Sequence, residues 1–129
     1  MKTRSFTSIL ASVIAIAMFS LTSCSERSYI EFDSSQKNIS AEAQVVELNT
    51  NLPVEFIGVM IEDGKQYLEC SYSNGKMECS HEWFTISSDS NGRKVTIRMN
   101  ENNGSAARQI KVQAINRGVA TNCTLIQGV

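Results

Sequence analysis

The sequence predicts a small all-β sandwich, and three observations carry this prediction. Short runs that alternate apolar and polar residues occupy 83–87, 95–100, 108–113 and 121–127, a pattern typical of half-buried strands. Turn signals rich in Asn, Asp and Gly separate these runs. No stretch after residue 24 shows the 3.6-residue apolar spacing of an amphipathic helix. A meander of short strands without helices is typical of two packed sheets.

The central hairpin has the clearest predicted register. Its turn, Asn91-Gly92, consists of two residues that tolerate the positive φ of a type I′ turn. With that turn, Ile86 faces Ile97 and Phe84 faces Met99, so apolar side chains meet across the two strands. A slip of one residue would destroy the match, and the pattern therefore fixes the pairing.

Two further turn signals predict hairpins in the middle of the chain. Asp63-Gly64 sets Val59 opposite Leu68, and Asn74-Gly75 sets Cys70 opposite Cys79. Polar residues alternate with an apolar set along these strands, which predicts a sheet with one wet side. The apolar set that shares one predicted face consists of Leu68, Cys70, Tyr72, Met77 and Cys79.

The first part of the chain predicts three more strands. An edge strand is expected near Tyr29–Asp33, a second strand at Ala43–Asn49 and a third at Val54–Ile61, the most apolar run outside the N-terminal leader. Pro53 precedes the third strand, a position that suits proline because strand starts need no amide donor.

The N-terminus has the layout of a secretory signal peptide. Lys2 and Arg4 precede an apolar run, Ile9–Leu21, that is shorter than the roughly 20 residues of a membrane-spanning helix. The run ends in Leu21-Thr22-Ser23-Cys24, which resembles a bacterial lipobox. The alternative is an ordinary cleaved signal followed by a chance cysteine. We expect removal of residues 1–23.

Lipidation of Cys24 would make the protein a membrane-anchored lipoprotein. Diacylglycerol supplies two acyl chains, and two chains form a stable anchor where one is marginal. Residues 24–28 would then be the tether of a domain that spans 29–129. We expect attachment to the cell envelope at the outer membrane, on either its periplasmic or its surface face.

The charge of the mature chain argues against a nucleic-acid partner. Loss of Lys2 and Arg4 leaves ten basic residues against thirteen Asp and Glu, a net charge of −3 with the single histidine neutral. The sequence contains no basic tract of the kind that binds a phosphate backbone.

Several positions resemble the BACON domain family, whose members are found in exported proteins of gut-type Bacteroidetes. Such modules typically have a tryptophan before the central hairpin, an Asn and an Arg around the next turn, and a closing Gln-x-Gly. Here Trp83, Asn100 or Asn102, and Arg108 match those positions, and Gln127-Gly128 forms a shortened ending. The segments that carry the resemblance are Val45–Thr50, Trp83-Phe84-Thr85-Ile86, Lys94–Asn100, Arg108–Val112 and Leu125-Ile126-Gln127-Gly128.

The resemblance implies an immunoglobulin-like β-sandwich of about seven to nine short antiparallel strands. The family name suggests carbohydrate binding, whereas many members look like spacers attached to enzymes. The stretch Asp63–Ser80 is longer than the corresponding part of a minimal module.

Candidates for catalysis and metal binding are few, so we expect no enzyme, no metal and no cofactor. His81, the only histidine, lies between Glu78 and Glu82, with no assigned nucleophile. Cys70, Cys79 and His81 could ligate zinc, but an exported protein favours a disulfide. The turn at Asp89 resembles the start of a calcium loop and lacks the later glutamate.

The three cysteines that remain after lipidation of Cys24 predict one disulfide. The Asn74-Gly75 register makes Cys70 and Cys79 a non-hydrogen-bonded pair with Cβ atoms roughly 4.5–5.5 Å apart, close to what a disulfide needs. Cys123 shares a strand face with Leu125 and is then a buried free thiol. The rival pairing is Cys79–Cys123.

Three aromatic residues are candidates for ligand binding: Phe56, Tyr67 and Trp83. The Asp63-Gly64 register places Phe56 and Tyr67 on the face opposite Val59, where they could stack on a sugar or meet a protein. The interpretation we favour is that this face is core, because a sandwich must bury one face of each sheet. Two functions stay open: a non-enzymatic glycan-binding or adhesion module, or a structural or inhibitor-like protein that contacts another protein.

Overall fold

The computed structural model describes residues 28–61 and 64–129, which form ten β-strands and no helix. None of these residues therefore belongs to a helix that could cross a bilayer. The signal peptide, the lipobox with Cys24 and the start of the tether lie outside the described residues. The strands are β1 Gln36–Ile39, β2 Gln44–Asn49, β3 Phe56–Ile61, β4 Gln66–Glu69, β5 Ser71–Ser73, β6 Lys76–His81, β7 Phe84–Asp89, β8 Lys94–Met99, β9 Arg108–Asn116 and β10 Val119–Gln127.

The strands form two five-stranded sheets that pack face to face. The first sheet has the order β1-β10-β9-β3-β4, and the second has the order β2-β8-β7-β6-β5. All pairings are antiparallel except that of β1 with β10, which is parallel. Every second residue of the central strands points between the sheets, as the period of a strand requires. The fully buried core includes Leu48, Val59, Ile86, Ile97, Val112 and Leu125.

The topology is that of an immunoglobulin-like sandwich. Strands β3, β9 and β10 are neighbours in one sheet, and β2, β8 and β7 are neighbours in the other, the relation that strands C-F-G and B-E-D have in that fold. The predicted fold class is confirmed, with one strand more than expected. The additional hairpin, β5 with β6, extends the second sheet beyond β7.

All three predicted hairpin registers are confirmed. Phe84 pairs with Met99, Val59 with Leu68, and Tyr72 with Met77. Asn74 and Gly75 have φ values of 52° and 78°, as a type I′ turn demands. The type I′ prediction for the central hairpin is wrong at one residue.

Gly92 is that residue, because it lacks the positive φ that Asn91 has. Its N–H donates to the carbonyl of Asp89 at 2.9 Å, and its own carbonyl accepts from the N–H of Val54 at 2.8 Å. These two bonds hold the turn in a different geometry without moving the strand register.

Two predictions about the strands are wrong. The expected edge strand at Tyr29–Asp33 is reduced to a single bridge between Phe32 and Thr50, and the first strand is Gln36–Ile39, in a stretch too polar to be recognised. Tyr72, expected on an apolar inner face, is 62 % exposed. It lies on the three-residue edge strand β5, which no strand covers on its outer side, and its hydroxyl bonds Ser90 Oγ at 2.7 Å.

The chain changes sheets at Cys70, a feature that the hairpin pattern does not reveal. β4 belongs to the first sheet and β5 to the second. The Cys70 N–H donates to the Ile57 carbonyl on β3 at 3.0 Å, while its side chain forms the predicted disulfide with Cys79 on β6. The two Cα atoms are 4.5 Å apart, the spacing of a non-hydrogen-bonded pair. The disulfide therefore joins the two sheets at this corner.

Candidate functional site

The outer surface of the first sheet carries three rows of cross-strand neighbours. Phe56, Ile115 and Ala120 form an apolar row at one end of the sheet. The next row consists of Glu69, Gly58, Gln113 and Asn122, and the third of Tyr67, Met60, Lys111 and Thr124. An apolar row thus lies beside two mixed rows rich in hydrogen-bonding groups.

Tyr67 lies over Gly58, and this contact organises the surface. A β-carbon built on Gly58 would be 2.7 Å from Cζ and 2.9 Å from Cε1 of the Tyr67 ring, so only glycine leaves room for the ring there. The Tyr67 hydroxyl reaches Gln113 Oε1 on β9 at 3.4 Å. Glycine inside a strand often marks such a close approach, and a neighbouring aromatic then covers its bare backbone. We call Phe56, Gly58, Tyr67 and Gln113 the Tyr67 face.

The Tyr67 face is open to solvent, and the interpretation that it is core is wrong. Phe56 is 63 % exposed and Tyr67 is 47 % exposed. The side chains that β3 buries are Ile57, Val59 and Ile61, on the opposite face of the same strand. The error arose because β3 is apolar throughout, so its sequence does not distinguish the inner from the outer face.

The Tyr67 ring and the polar side chains beside it supply two kinds of contact. An aromatic ring offers a flat apolar surface to a ligand. Gln113 and Asn122 offer amide donors and acceptors, and Glu69 offers a carboxylate acceptor, for hydroxyl groups. A hollow of about 250 Å³ adjoins the third row and is lined by Met60, Gly64, Gln109 and Lys111.

Trp83 has a different environment, although it was an equal candidate in the sequence. The Arg108 guanidinium carbon lies 4.3 Å from the centroid of the Trp83 ring, in a cation–π contact. The Phe84 ring meets it edge-on with centroids 5.2 Å apart. The ring is half-buried, and Arg108 covers part of what would be its stacking surface.

Arg108 is itself held by hydrogen bonds at the end of the sandwich. Its Nε donates to Gln127 Oε1 at 2.8 Å, and its Nη2 donates to the carbonyls of Asn100 and Glu101 at 2.9 and 3.1 Å. Gln127 is fully buried, and its Nε2 donates to the Asn100 carbonyl at 2.9 Å and the Ala41 carbonyl at 3.3 Å. We call Trp83, Phe84, Arg108 and Gln127 the Trp83 cluster.

Asn102 extends the Trp83 cluster to the end of the chain. Its Nδ2 donates to the Gly128 carbonyl at 2.8 Å and to the Ala106 carbonyl at 3.1 Å, and its Oδ1 accepts from the Gly104 N–H at 3.0 Å. The residues that carry the BACON-like pattern thus meet in one network. Their side chains are occupied with closing the end of the sandwich, a structural role that spacing alone did not reveal.

The candidates for catalysis and metal binding do not assemble into a site. The His81 ring stacks on Phe84 with centroids 5.3 Å apart, and its Nδ1 is buried without a hydrogen-bond partner among the described residues. Cys70 and Cys79 are in a disulfide and cannot serve as thiolate ligands. Within 28–61 and 64–129, no three His, Cys, Asp or Glu side chains are grouped to hold a metal ion.

Cys123 is a buried free thiol, as the sequence predicts, and the rival Cys79–Cys123 disulfide is excluded. Its side chain is fully enclosed between the sheets. Burial raises the pKa of the Cys123 thiol, with a smaller opposing effect from Lys37. The thiol is therefore a small apolar core group and not a nucleophile.

Comparison with known proteins supports the fold. No family model matches the chain, and no curated protein matches it. An NMR structure of a protein from Bacteroides thetaiotaomicron is similar over 80 % of this chain and 89 % of that chain, with a TM-score of 0.57 and 12 % identity. The crystal structure of the titin M3 domain aligns over 78 % of this chain and 96 % of that one, with a TM-score of 0.43 and 11 % identity. At such identities the Bacteroides structure supports the two-sheet architecture alone.

Proposed function

We propose that this chain is a non-enzymatic glycan-binding module, BACON-like in type and anchored to the cell envelope through Cys24. The observation that carries the glycan assignment is the position of Tyr67, seated over Gly58 and 47 % exposed beside exposed Phe56. Exposed apolar groups that lie together on one face often mark a binding site.

The polar neighbours of these aromatic residues favour glycan over protein. A protein-binding patch has an apolar centre from which charged groups are depleted. Here Gln113, Glu69 and Lys111 lie in the two rows around Tyr67, so a ligand that covers this ring must also satisfy hydrogen-bonding groups. Sugars, with a hydroxyl on nearly every carbon, meet that demand.

The lipobox supports the anchor. Leu21-Thr22-Ser23-Cys24 follows a basic and then apolar leader, and the mature chain would begin at the acylated cysteine. An anchored module with an open aromatic face suits the retention of polysaccharide at a cell surface.

A glycan array with matched variants tests the proposal. We expect the mature protein to bind one polysaccharide class, with at least tenfold weaker binding in Tyr67→Ala and in Gly58→Ala. The second variant keeps the Tyr67 ring and lifts it from the sheet, because a β-carbon at Gly58 would overlap it. Tyr72→Ala is the control, since Tyr72 is 62 % exposed and lies on the other sheet.

Two results would contradict the proposal. Equal binding by wild type and Tyr67→Ala would place the ligand elsewhere. A blank array would favour the second candidate function, contact with another protein, which the apolar row of Phe56, Ile115 and Ala120 could support.

A further inference from the structure

The chain enters the sandwich at one end, where four segments lie together. Asn51 Nδ2 donates to the Tyr29 carbonyl at 2.9 Å, and Asn116 Nδ2 donates to the Pro53 carbonyl at 2.8 Å. The Thr50 N–H donates to the Arg93 carbonyl at 2.9 Å. The start of the domain, the loop before β3, the β7–β8 turn and the β9–β10 turn therefore form one surface. We call this surface the tether end; its residues are Ser28, Tyr29, Leu52, Pro53, Arg93 and Arg117.

The tether end exposes an aromatic ring and two arginines. Tyr29 is 60 % exposed. Arg93 and Arg117 are exposed, and neither forms an ion pair within the described ranges. Two hollows of about 340 and 420 Å³ adjoin each other here and share Ser28, Asn116 and Arg117 as lining residues. Glu55 also lines the second hollow, where its Oε1 accepts from the backbone N–H of Arg117 at 2.8 Å, so the side-chain guanidinium of Arg117 stays available. The two guanidinium groups can form charge-assisted hydrogen bonds with phosphate groups. The Tyr29 ring can at the same time contact apolar groups while its hydroxyl stays in a polar environment.

The length of the tether limits which part of the domain can touch the membrane. Four peptide units separate Cys24 from Ser28, and an extended chain spans at most about 3.6 Å per residue, or about 14 Å in all. The opposite end lies a full strand away, because β10 runs nine residues from Val119 to Gln127, about 30 Å at the usual strand rise. An anchor at Cys24 thus brings the tether end to the headgroups and holds the Trp83 cluster far from them.

We propose that the tether end docks on the lipid bilayer that holds the anchor. Tyr29 lies at the level of the headgroups, where tyrosine is enriched in membrane proteins. Arg93 and Arg117 contact lipid phosphates, which they can bind through two parallel N–H groups. The Tyr67 face then stands roughly perpendicular to the membrane, open to polymer that approaches from the side. This inference rests on the proposed anchor, and it does not need the proposed glycan ligand.

Tryptophan fluorescence can locate the docked surface, because the chain contains one tryptophan, Trp83, at the far end. The acylated protein is purified from membranes and reconstituted in phosphatidylethanolamine–phosphatidylglycerol vesicles with brominated or ordinary acyl chains. Bromine quenches tryptophan only at short range. In brominated vesicles, compared with ordinary ones, we expect the fluorescence added by Tyr29→Trp to fall at least twofold. The fluorescence of native Trp83 should fall by less than a tenth. Val45→Trp is the matched control, since Val45 is 50 % exposed and pairs with Arg98 near the far end.

The outcomes separate this inference from the anchor. If mass spectrometry of the purified protein shows no acyl groups, both the anchor and the docking are overturned. If the protein is acylated and the signals added by Tyr29→Trp and Val45→Trp are quenched equally, the docking alone is overturned. Arg93→Gln combined with Arg117→Gln should halve the quenching at position 29, and unchanged quenching would overturn the phosphate contact. A flexible insertion of about 20 Gly and Ser residues after Cys24 should reduce the quenching at position 29 less than the arginine changes do. The reason is that the contacts of the tether end with the lipid, and not the short tether, hold the domain on the membrane.

Discussion

The Trp83 cluster and the Tyr67 face are two aromatic regions that the same sandwich uses in different ways. Trp83 is covered by Arg108 and packed edge-on against Phe84, and its neighbours Arg108 and Gln127 bond one another and nearby carbonyls. Tyr67 makes one long hydrogen bond within the part of the chain that the structure describes, and 47 % of the residue is exposed. The first region helps to close the fold, and the second leaves an aromatic ring open to solvent. What separates them is the set of groups that covers each ring.

The cluster should therefore show its role in stability. Trp83→Ala removes a half-buried ring and its contacts with Arg108 and Phe84, and we expect a loss of about 3 kcal/mol in the free energy of unfolding. Tyr67→Ala is the matched aromatic truncation, and a loss below about 1 kcal/mol is expected because 47 % of the residue is exposed and its hydroxyl makes only a long hydrogen bond to Gln113 among the described residues. Chemical denaturation of both variants gives the values. Similar losses would erase the distinction between the two regions.

Arg108→Ala sharpens the comparison with a smaller effect. The change leaves Gln127 Oε1, fully buried, without the donor that Arg108 Nε supplies, and hydrogen bonds from charged groups contribute about 1.5–3 kcal/mol. We expect a loss of about 2 kcal/mol. Arg98→Ala, on the exposed side of β8, is the control and should change stability by less than about 0.5 kcal/mol.

A double-mutant cycle then isolates the contact between Arg108 and Trp83. A coupling of about 1 kcal/mol between Arg108→Ala and Trp83→Ala is expected for a partly desolvated cation–π pair. Additive losses would mean that the two side chains act separately.

Local pattern was sufficient for much of the fold. Two-residue turn signals and strict alternation fix the pairing of Phe84 with Met99 and of Tyr72 with Met77, because a shift of one residue would turn every side chain to the wrong face. The same counting predicts the Cys70–Cys79 disulfide and the buried thiol of Cys123.

Long-range packing decided the features that the sequence did not reveal. The change of sheet at Cys70 depends on a backbone bond to Ile57, thirteen residues earlier, and nothing in the local alternation marks it. The ring of Trp83 is covered by Arg108, which follows it in the chain only after strands β7 and β8, so no local pattern links the two residues. Gly58 did carry a usable signal. It is a glycine inside an apolar strand, and Tyr67 lies two residues from its cross-strand partner Glu69, an arrangement that predicts an aromatic ring over the bare glycine backbone.

The most direct test of the central claim follows backbone and indole N–H signals by NMR while the best-binding oligosaccharide of the array is added. If the Tyr67 face is the binding surface, the amide signals of Gly58, Tyr67 and Gln113 shift with saturation, and the indole signal of Trp83 does not move. The single tryptophan makes that indole signal unambiguous. A saturable shift of the Trp83 indole, with the amides of the Tyr67 face unchanged, would contradict the account.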